Sequence, residues 1–190
     1  MKSVKKGPKT KPEKTKRKPR AVDQLTQHRV WLARAAAFAH RDPVRGGSPH
    51  PHVQVGAILV DAKGKMIAES SNRFSKGLDR RRPERYENGE RSLWINCAEQ
   101  MVFAEAARKG SKIEGSSLYV TLEPCAVCAG LIVETGIKRV YVPVDSLRRY
   151  AKLKSKWKHS IEIGLTKLTE AGVRLIAVDT EAARPEADPA

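Results

Sequence analysis

This sequence predicts a three-layer α/β/α fold on a mixed five-stranded sheet, and three observations carry the prediction. Short runs rich in β-branched and aliphatic residues alternate with helix-period segments from Val53 to Val178. The first two runs are joined by the tight turn D-A-K-G, which makes them an antiparallel hairpin. Gly136 and Gly172 each close a helical segment and are followed at once by a strand pattern, as in crossover units that lay strands parallel.

In chain order, Asp23 caps a helix running to about His40, with Leu25, Val30, Trp31, Ala35 and Phe38 near one face, and the loop D-P-V-R-G-G-S-P-H-P ends it. Val53–Val60 reads as a buried strand and Lys65–Ser71 as its antiparallel partner. A polar insertion from Asn72 to about Ser92 is too long for an ordinary connection, so it is functional or mobile. A helix over Ile95–Arg108, a strand over Ser117–Leu122, a helix over Cys125–Thr135 and a strand over Lys138–Pro143 follow. After a basic segment, a helix over Ser160–Ala171 and a strand over Val173–Val178 complete the order αββαβαβαβ. Parallel strands linked through helices call for right-handed crossovers.

The 190 residues hold 37 Lys or Arg against 21 Asp or Glu, a net charge of +16, which points to an anionic partner or substrate. Residues 1–20 alone contain ten Lys or Arg and one Glu, more than half of that excess. This Lys/Pro/Thr-rich stretch has no aromatic residue and no apolar stripe, so residues 1–21 are expected to form a disordered basic tail. Such a tail is either an electrostatic arm for nucleic acid or a solvated extension. Residues 180–190 form a second disordered tail of opposite charge balance, leaving 22–179 as one folded domain. The apolar runs are far too short to span a bilayer. No charged start with an apolar stretch and a small-residue cleavage site is present, so the expectation is a cytoplasmic protein with no membrane contact.

Cysteine occurs three times, at Cys97, Cys125 and Cys128, an odd number that does not suit a disulfide framework. Three thiolates on one metal account for the number, with a fourth position left to something other than cysteine. Cys125 and Cys128 stand three apart at the start of a helix opened by Pro124, so both sulfurs reach one face, and Cys97 and Glu99 lie in the first turn of the preceding helix. A strand between the two helices aims both N-termini at one point, and their positive dipole ends favour thiolate over thiol. Three ligands and an open position suit catalytic Zn²⁺, and C-A-E followed by P-C-x-x-C matches the zinc-deaminase signature, in which the Glu moves protons and is not a ligand. The competing reading is a structural zinc knuckle, which wants a fourth Cys or His, and none of the five histidines lies within the motif. Those histidines read as surface or loop residues, with His50 and His52 of P-H-P-H bordering a pocket.

From about Val30 to Val178 the chain resembles the cytidine and deoxycytidylate deaminase superfamily, and within it the deoxycytidylate deaminases. The matching pieces are VQVGAILV, SNRFSKG, CAEQMVFAEAARKG, SLYVTLEPCAVCAGLIVETGIKRVYV and WKHSIEIGLTKLTEAGV. The resemblance implies a cytidine-deaminase-like fold, Zn²⁺ held by Cys97, Cys125 and Cys128, and Glu99 as proton shuttle. It further implies substrate contacts from Asn72, on the sugar or ring, and from Ala98, Glu123, Pro124, Lys76 and Arg85, and a homo-oligomer with active sites near subunit contacts.

Two departures qualify the match. Deoxycytidylate deaminases usually carry His where this chain has Cys97, while small cytidine deaminases, which use Cys, carry Arg where this chain has Gln100. Three thiolates leave the metal site negative, so its water is less acidic unless helix ends or a nearby Arg compensate. The wording TLEPCAVC also resembles tRNA adenosine deaminases, which act on polynucleotides.

Within the insertion, Arg80, Arg81, Arg82 and Arg85 can bind a 5′-phosphate or can pair with Asp79, Glu84, Glu87 and Glu90 on a solvated loop. The segment Arg148–Lys158 places Tyr150 and Trp157 among six Lys or Arg, which suits base stacking with phosphate contact or an amphipathic surface whose Trp packs on the core. The functional expectation is hydrolytic deamination of a cytosine nucleotide, dCMP to dUMP with ammonia release. Two alternatives stand beside it. One is a polynucleotide deaminase acting on tRNA adenosine or single-stranded cytosine, with the tail and the Arg148–Lys158 segment holding the nucleic acid. The other is a non-catalytic nucleic-acid-binding zinc protein.

Overall fold

The described residues form seven strands: β1 (Gly56–Val60), β2 (Met66–Ser71), β3 (Arg73–Phe74), β4 (Ile95–Asn96), β5 (Ser117–Val120), β6 (Arg139–Pro143) and β7 (Arg174–Val178). The computed structural model describes residues 21–149 and 153–180, so both predicted tails, but for Ala21 and Thr180, lie outside the described residues. Five strands form one mixed sheet in the order β2-β1-β5-β6-β7. β1 is antiparallel to both β2 and β5, and β6 and β7 add in parallel. At the hairpin the Asp61 carboxylate accepts from the N–H groups of Lys63 (2.8 Å) and Lys65 (2.9 Å). Gly64 there takes φ 81°, the left-handed geometry such a turn requires.

Strand alternation divides the core in two. Ala57, Leu59, Leu118, Val120, Val140 and Val142 pack with residues of α3 (Ala98–Arg108), α4 (Ala126–Glu134) and α6 (Ser155–Glu170). Ile58, Val60, Tyr119, Tyr141 and Val178 pack on the other face against Leu32 and Ala35 of α1 (Ala21–Ala39). The short helices α2 (Arg91–Trp94) and α5 (Ser146–Arg149) sit in the connections. The result is the expected α/β/α sandwich.

Several boundaries differ from expectation. The buried face of α1 is Leu32, Ala35 and Ala39, while Leu25 and Val30 are exposed. The cause is close approach: a β-carbon at Gly56 would collide with the Ala35 carbonyl, so small residues mark the contact. His28 is not a surface histidine; its Nδ1 lies 2.8 Å from the Tyr119 hydroxyl and its ring stacks on Tyr141 at 4.1 Å. The insertion carries β3, which pairs antiparallel with β4 where a helix was expected from Ile95. α3 therefore starts at Ala98, with Cys97 as its N-cap. Cys125 caps α4 in the same way, so Pro124 stands before the cap and not inside the first turn. α6 starts at Ser155, more than a turn before the expected Ser160. Among the described residues no helix is long and apolar enough to cross a membrane.

Candidate active site

Both helix starts converge on one point. Cys97 and Cys125 are the N-caps of α3 and α4, Cys128 lies in the first turn of α4, and their sulfurs all fall within 4.8 Å of one another. Gln100 fixes the first of them: its Oε1 accepts from the Cys97 N–H at 2.9 Å in a capping box. Where small cytidine deaminases have Arg, this chain thus has a residue that positions one of the three clustered thiols.

The second arm is braced by α6. Ser160 Oγ accepts from the Ala126 N–H at 3.2 Å, Lys167 Nζ donates to the Ala126 carbonyl at 3.2 Å, and Gly164 lies too close to the Pro124 carbonyl to admit a β-carbon.

The donor chemistry fits a soft divalent cation. Left to themselves, the three sulfurs share their protons unevenly. The thiols of Cys128 and Cys97 hydrogen-bond to Cys125 and hold it far below the usual thiol range, aided by the backbone N–H groups of Cys128 and Val127. Those same bonds to Cys125 push Cys128 and Cys97 up. Three sulfurs this close cannot all be thiolates without a cation, and three thiolates are what Zn²⁺ takes readily.

Glu99, at the second position of α3, is buried at 4% exposure. Burial pushes its carboxyl up to about 8, and the charge on Cys125 adds to the effect.

Cys97, Glu99 and Cys125 open onto a cavity of about 860 Å³. Arg91, Lys154, Lys156, His50 and His52 bring positive or titratable groups to its wall, with Trp157 as an aromatic face. His50 is held down to about 4 by burial first, then by the charges of Arg91 and His52. Its Nδ1 accepts from the N–H groups of His52 (3.1 Å) and Val53 (2.9 Å), which leaves Nε2 as the protonated nitrogen.

Of the residues expected at the substrate, Asn72, Ala98 and Glu123 line this cavity. Asn72 is also a structural clamp, since its Oδ1 accepts from the Val55 N–H (2.8 Å) and its Nδ2 donates to the Val53 carbonyl (2.9 Å). That side chain replaces ladder bonds, which is why β1 begins at Gly56 and not at Val53. Pro124 is buried behind the loop.

Lys76 and Arg85 are not brought to the cavity. Lys76 lines a separate hollow of about 370 Å³ and pairs with Glu105 at 3.2 Å. Arg85 stacks over Trp94 at 4.1 Å and donates to the Asp79 carbonyl at 2.8 Å. Arg81 and Arg82 pair with Asp79 at 3.1 and 4.0 Å, the solvated-loop arrangement. The cation the insertion does deliver is Arg91, at its far end. No sequence signal separates Arg91 from its neighbours, and only the β3–β4 pairing turns it inward. In the basic segment, Tyr150 and Lys152 lie outside the described residues, while Lys154, Lys156 and Trp157 form cavity wall and not a detached patch.

The chain is 33% identical over 118 residues to the tRNA-specific adenosine deaminase of Bacillus subtilis, covering 61% of each chain. It is 32% identical over 128 residues to the deoxycytidylate deaminase of Homo sapiens, covering 65% of this chain and 67% of that one. The fold matches the dCMP deaminase of cyanophage S-TIM5, solved with dCMP and dUMP, at TM-score 0.57 and 20% identity, over 84% of this chain and 99% of that chain. The model of the cytidine and deoxycytidylate deaminase zinc-binding region matches residues 27–144, a stretch that contains the three cysteines and Glu99, and the chain belongs to that family.

Proposed function

We propose that the protein is a zinc-dependent hydrolase that converts a cytosine nucleotide, with dCMP as the substrate, to the uracil nucleotide and ammonia. The observation that carries the reading is a buried carboxylate, Glu99, beside three converging cysteines at the floor of a cavity whose wall is cationic. Cys97, Cys125 and Cys128 hold the metal. When bound, Zn²⁺ would supply Lewis acidity, which makes a water easier to deprotonate.

Glu99 carries the protons. It accepts one from the attacking water and delivers it to ring N3, then takes the second from the new C4 hydroxyl and passes it to the leaving amine as the C4–N bond breaks and the C4 carbonyl forms. Arg91, Lys154 and Lys156 favour an anionic substrate. Ala98 and Asn72 shape the floor around the ring. The protein acts in the cytoplasm as a homo-oligomer; the exposed Val127 and Leu131, one turn apart on α4, and the exposed Ile163 of α6 support the oligomer.

A second reading has one specific observation in its favour. Trp157 with Lys154 and Lys156 on the cavity wall is a stacking face flanked by cations, as polynucleotide binders use. The similarity to the Bacillus tRNA-specific adenosine deaminase points the same way.

Ammonia release by zinc-loaded protein across cytidine, deoxycytidine, CMP, dCMP, dCTP, adenosine, cytosine-bearing single-stranded DNA and tRNA separates the two. Preference for dCMP supports the first, and turnover confined to polymers replaces it with the second. Glu99→Gln is expected to keep zinc and lose nearly all turnover; substantial activity at unchanged zinc content discards the assigned role.

A further inference from the structure

Among the described residues, two buried side-chain atoms have no hydrogen-bond partner: Nε of Arg91 and Oε2 of Glu123. Both residues line the cavity of the cysteine cluster. Buried polar atoms are otherwise nearly always paired, so two orphans at one cavity mark groups that a ligand completes.

Each side chain is anchored elsewhere. Arg91 Nη2 donates to the Tyr86 carbonyl at 3.2 Å, with the guanidinium 5.9 Å from the Tyr86 ring. Glu123 Oε1 accepts from Oγ of the fully buried Ser146 at 2.6 Å. One orphan is thus a fixed cationic donor and the other a fixed anionic acceptor. A ligand that satisfies both presents an anionic group to the first and an N–H to the second.

Resting on the cytosine-nucleotide reading, we propose that Glu123 and Arg91 are the specificity-determining pair of this site. Glu123 accepts from the exocyclic amino group of the ring, and Arg91 binds the 5′-phosphate. Glu123 stands two residues before Cys125, Arg91 comes from the insertion, and both line the cavity onto which Cys97, Glu99 and Cys125 open.

The assignment has a second effect. Deamination replaces the amine, a donor, with a carbonyl oxygen, an acceptor. The Glu123 carboxylate then faces an oxygen that it repels, so the residue that selects the substrate also expels the product. Ser146 acts through Glu123 as a positioning residue.

Calorimetric binding tests this without turnover, on zinc-loaded Glu99→Gln protein titrated with dCMP, dUMP and deoxycytidine. The parent is expected to prefer dCMP over both others. Adding Glu123→Gln should cut the preference for dCMP over dUMP about tenfold or more, because the amide can donate to the uracil oxygen, and should leave the preference over deoxycytidine in place. Adding Arg91→Met should do the reverse. Ratios between ligands do not move with a general loss of folding. A Glu123→Gln protein that still rejects dUMP as its parent does, or an Arg91→Met protein that keeps its phosphate preference, overturns the corresponding assignment. If the parent binds none of the three ligands, the nucleotide reading itself fails and takes the pair with it.

Discussion

Asn72 and Val55 are bonded to each other twice: the Asn72 N–H donates to the Val55 carbonyl at 3.0 Å, and the Val55 N–H donates to Asn72 Oδ1 at 2.8 Å. With Nδ2 on the Val53 carbonyl, one side chain holds the loop that carries His50 and His52 to the cavity. Asn72→Ala leaves buried backbone groups unpaired and is expected to lose about 1–3 kcal/mol. Urea denaturation without any nucleotide checks this. A loss seen only when ligand is present would reduce Asn72 to a substrate contact.

Gly164→Ala should destabilise, against the helix rule. At an ordinary helix position the change gains about 1 kcal/mol. Here the new methyl meets the Pro124 carbonyl, and displacement of that loop is expected to cost about 1–3 kcal/mol and to weaken zinc retention. Denaturation midpoint and bound zinc per chain are the readouts. A more stable variant would show that α6 has slack at this point.

Acid should loosen the protein through His50. Its folded pKa, about 4, lies below the unfolded value of 6.5, so between those limits the unfolded chain binds more protons. The contribution of His50 is fully present above pH 6.5 and is lost as pH falls toward 4. Protonation at Nδ1 also removes the acceptor for two backbone N–H groups. Melting temperature followed over that range should fall more steeply for the parent than for His50→Gln. Parallel curves would locate the acid sensitivity elsewhere.

Metal removal should cost stability as well as activity. Cys97 and the Cys125–Cys128 pair come from different helices, so an ion bound to all three ties α3 to α4 and favours the folded state. At free zinc about 1,000 times the dissociation constant, the linkage is worth about 4.1 kcal/mol. Thermal melts with and without a chelator measure it, and Cys125→Ala should melt like the chelated parent. Identical melts in all three cases would mean that the thiols hold no ion.

The parts of the site legible in sequence are those whose geometry is local. C-x-x-C on a helix start and C-x-E on another fix their own spacing, and Gly136 and Gly172, at φ 74° and 68°, mark helix ends by backbone need alone. The arginines were not legible in this way. Arg85 and Arg91 sit in one polar segment with like surroundings in sequence, yet one stacks on Trp94 and the other lines the cavity. What separates them is the pairing of Arg73–Phe74 with Ile95–Asn96, a contact between residues far apart in the chain. The start of β1 is hidden from the sequence for a related reason, because the Asn72 side chain stands in for a strand. Gln100 was visible as a departure from a family pattern, but its bond to the Cys97 N–H required the helix start to be placed at Ala98.

The brace from α6 gives the cysteine site an order in time. A ribosome finishes Cys97, Cys125 and Cys128 well before Ser160, Gly164 and Lys167, the residues that hold the Cys125 loop. At roughly 5–20 residues per second, the nascent chain passes seconds with three neighbouring thiols and no helix over them. In that interval metal capture competes with oxidation, and a disulfide between Cys125 and Cys128 would leave a chain unable to load zinc until it is reduced. On the proposed zinc-enzyme reading, the quality of the finished protein therefore depends on zinc supply and thiol redox state during synthesis, before the cavity exists.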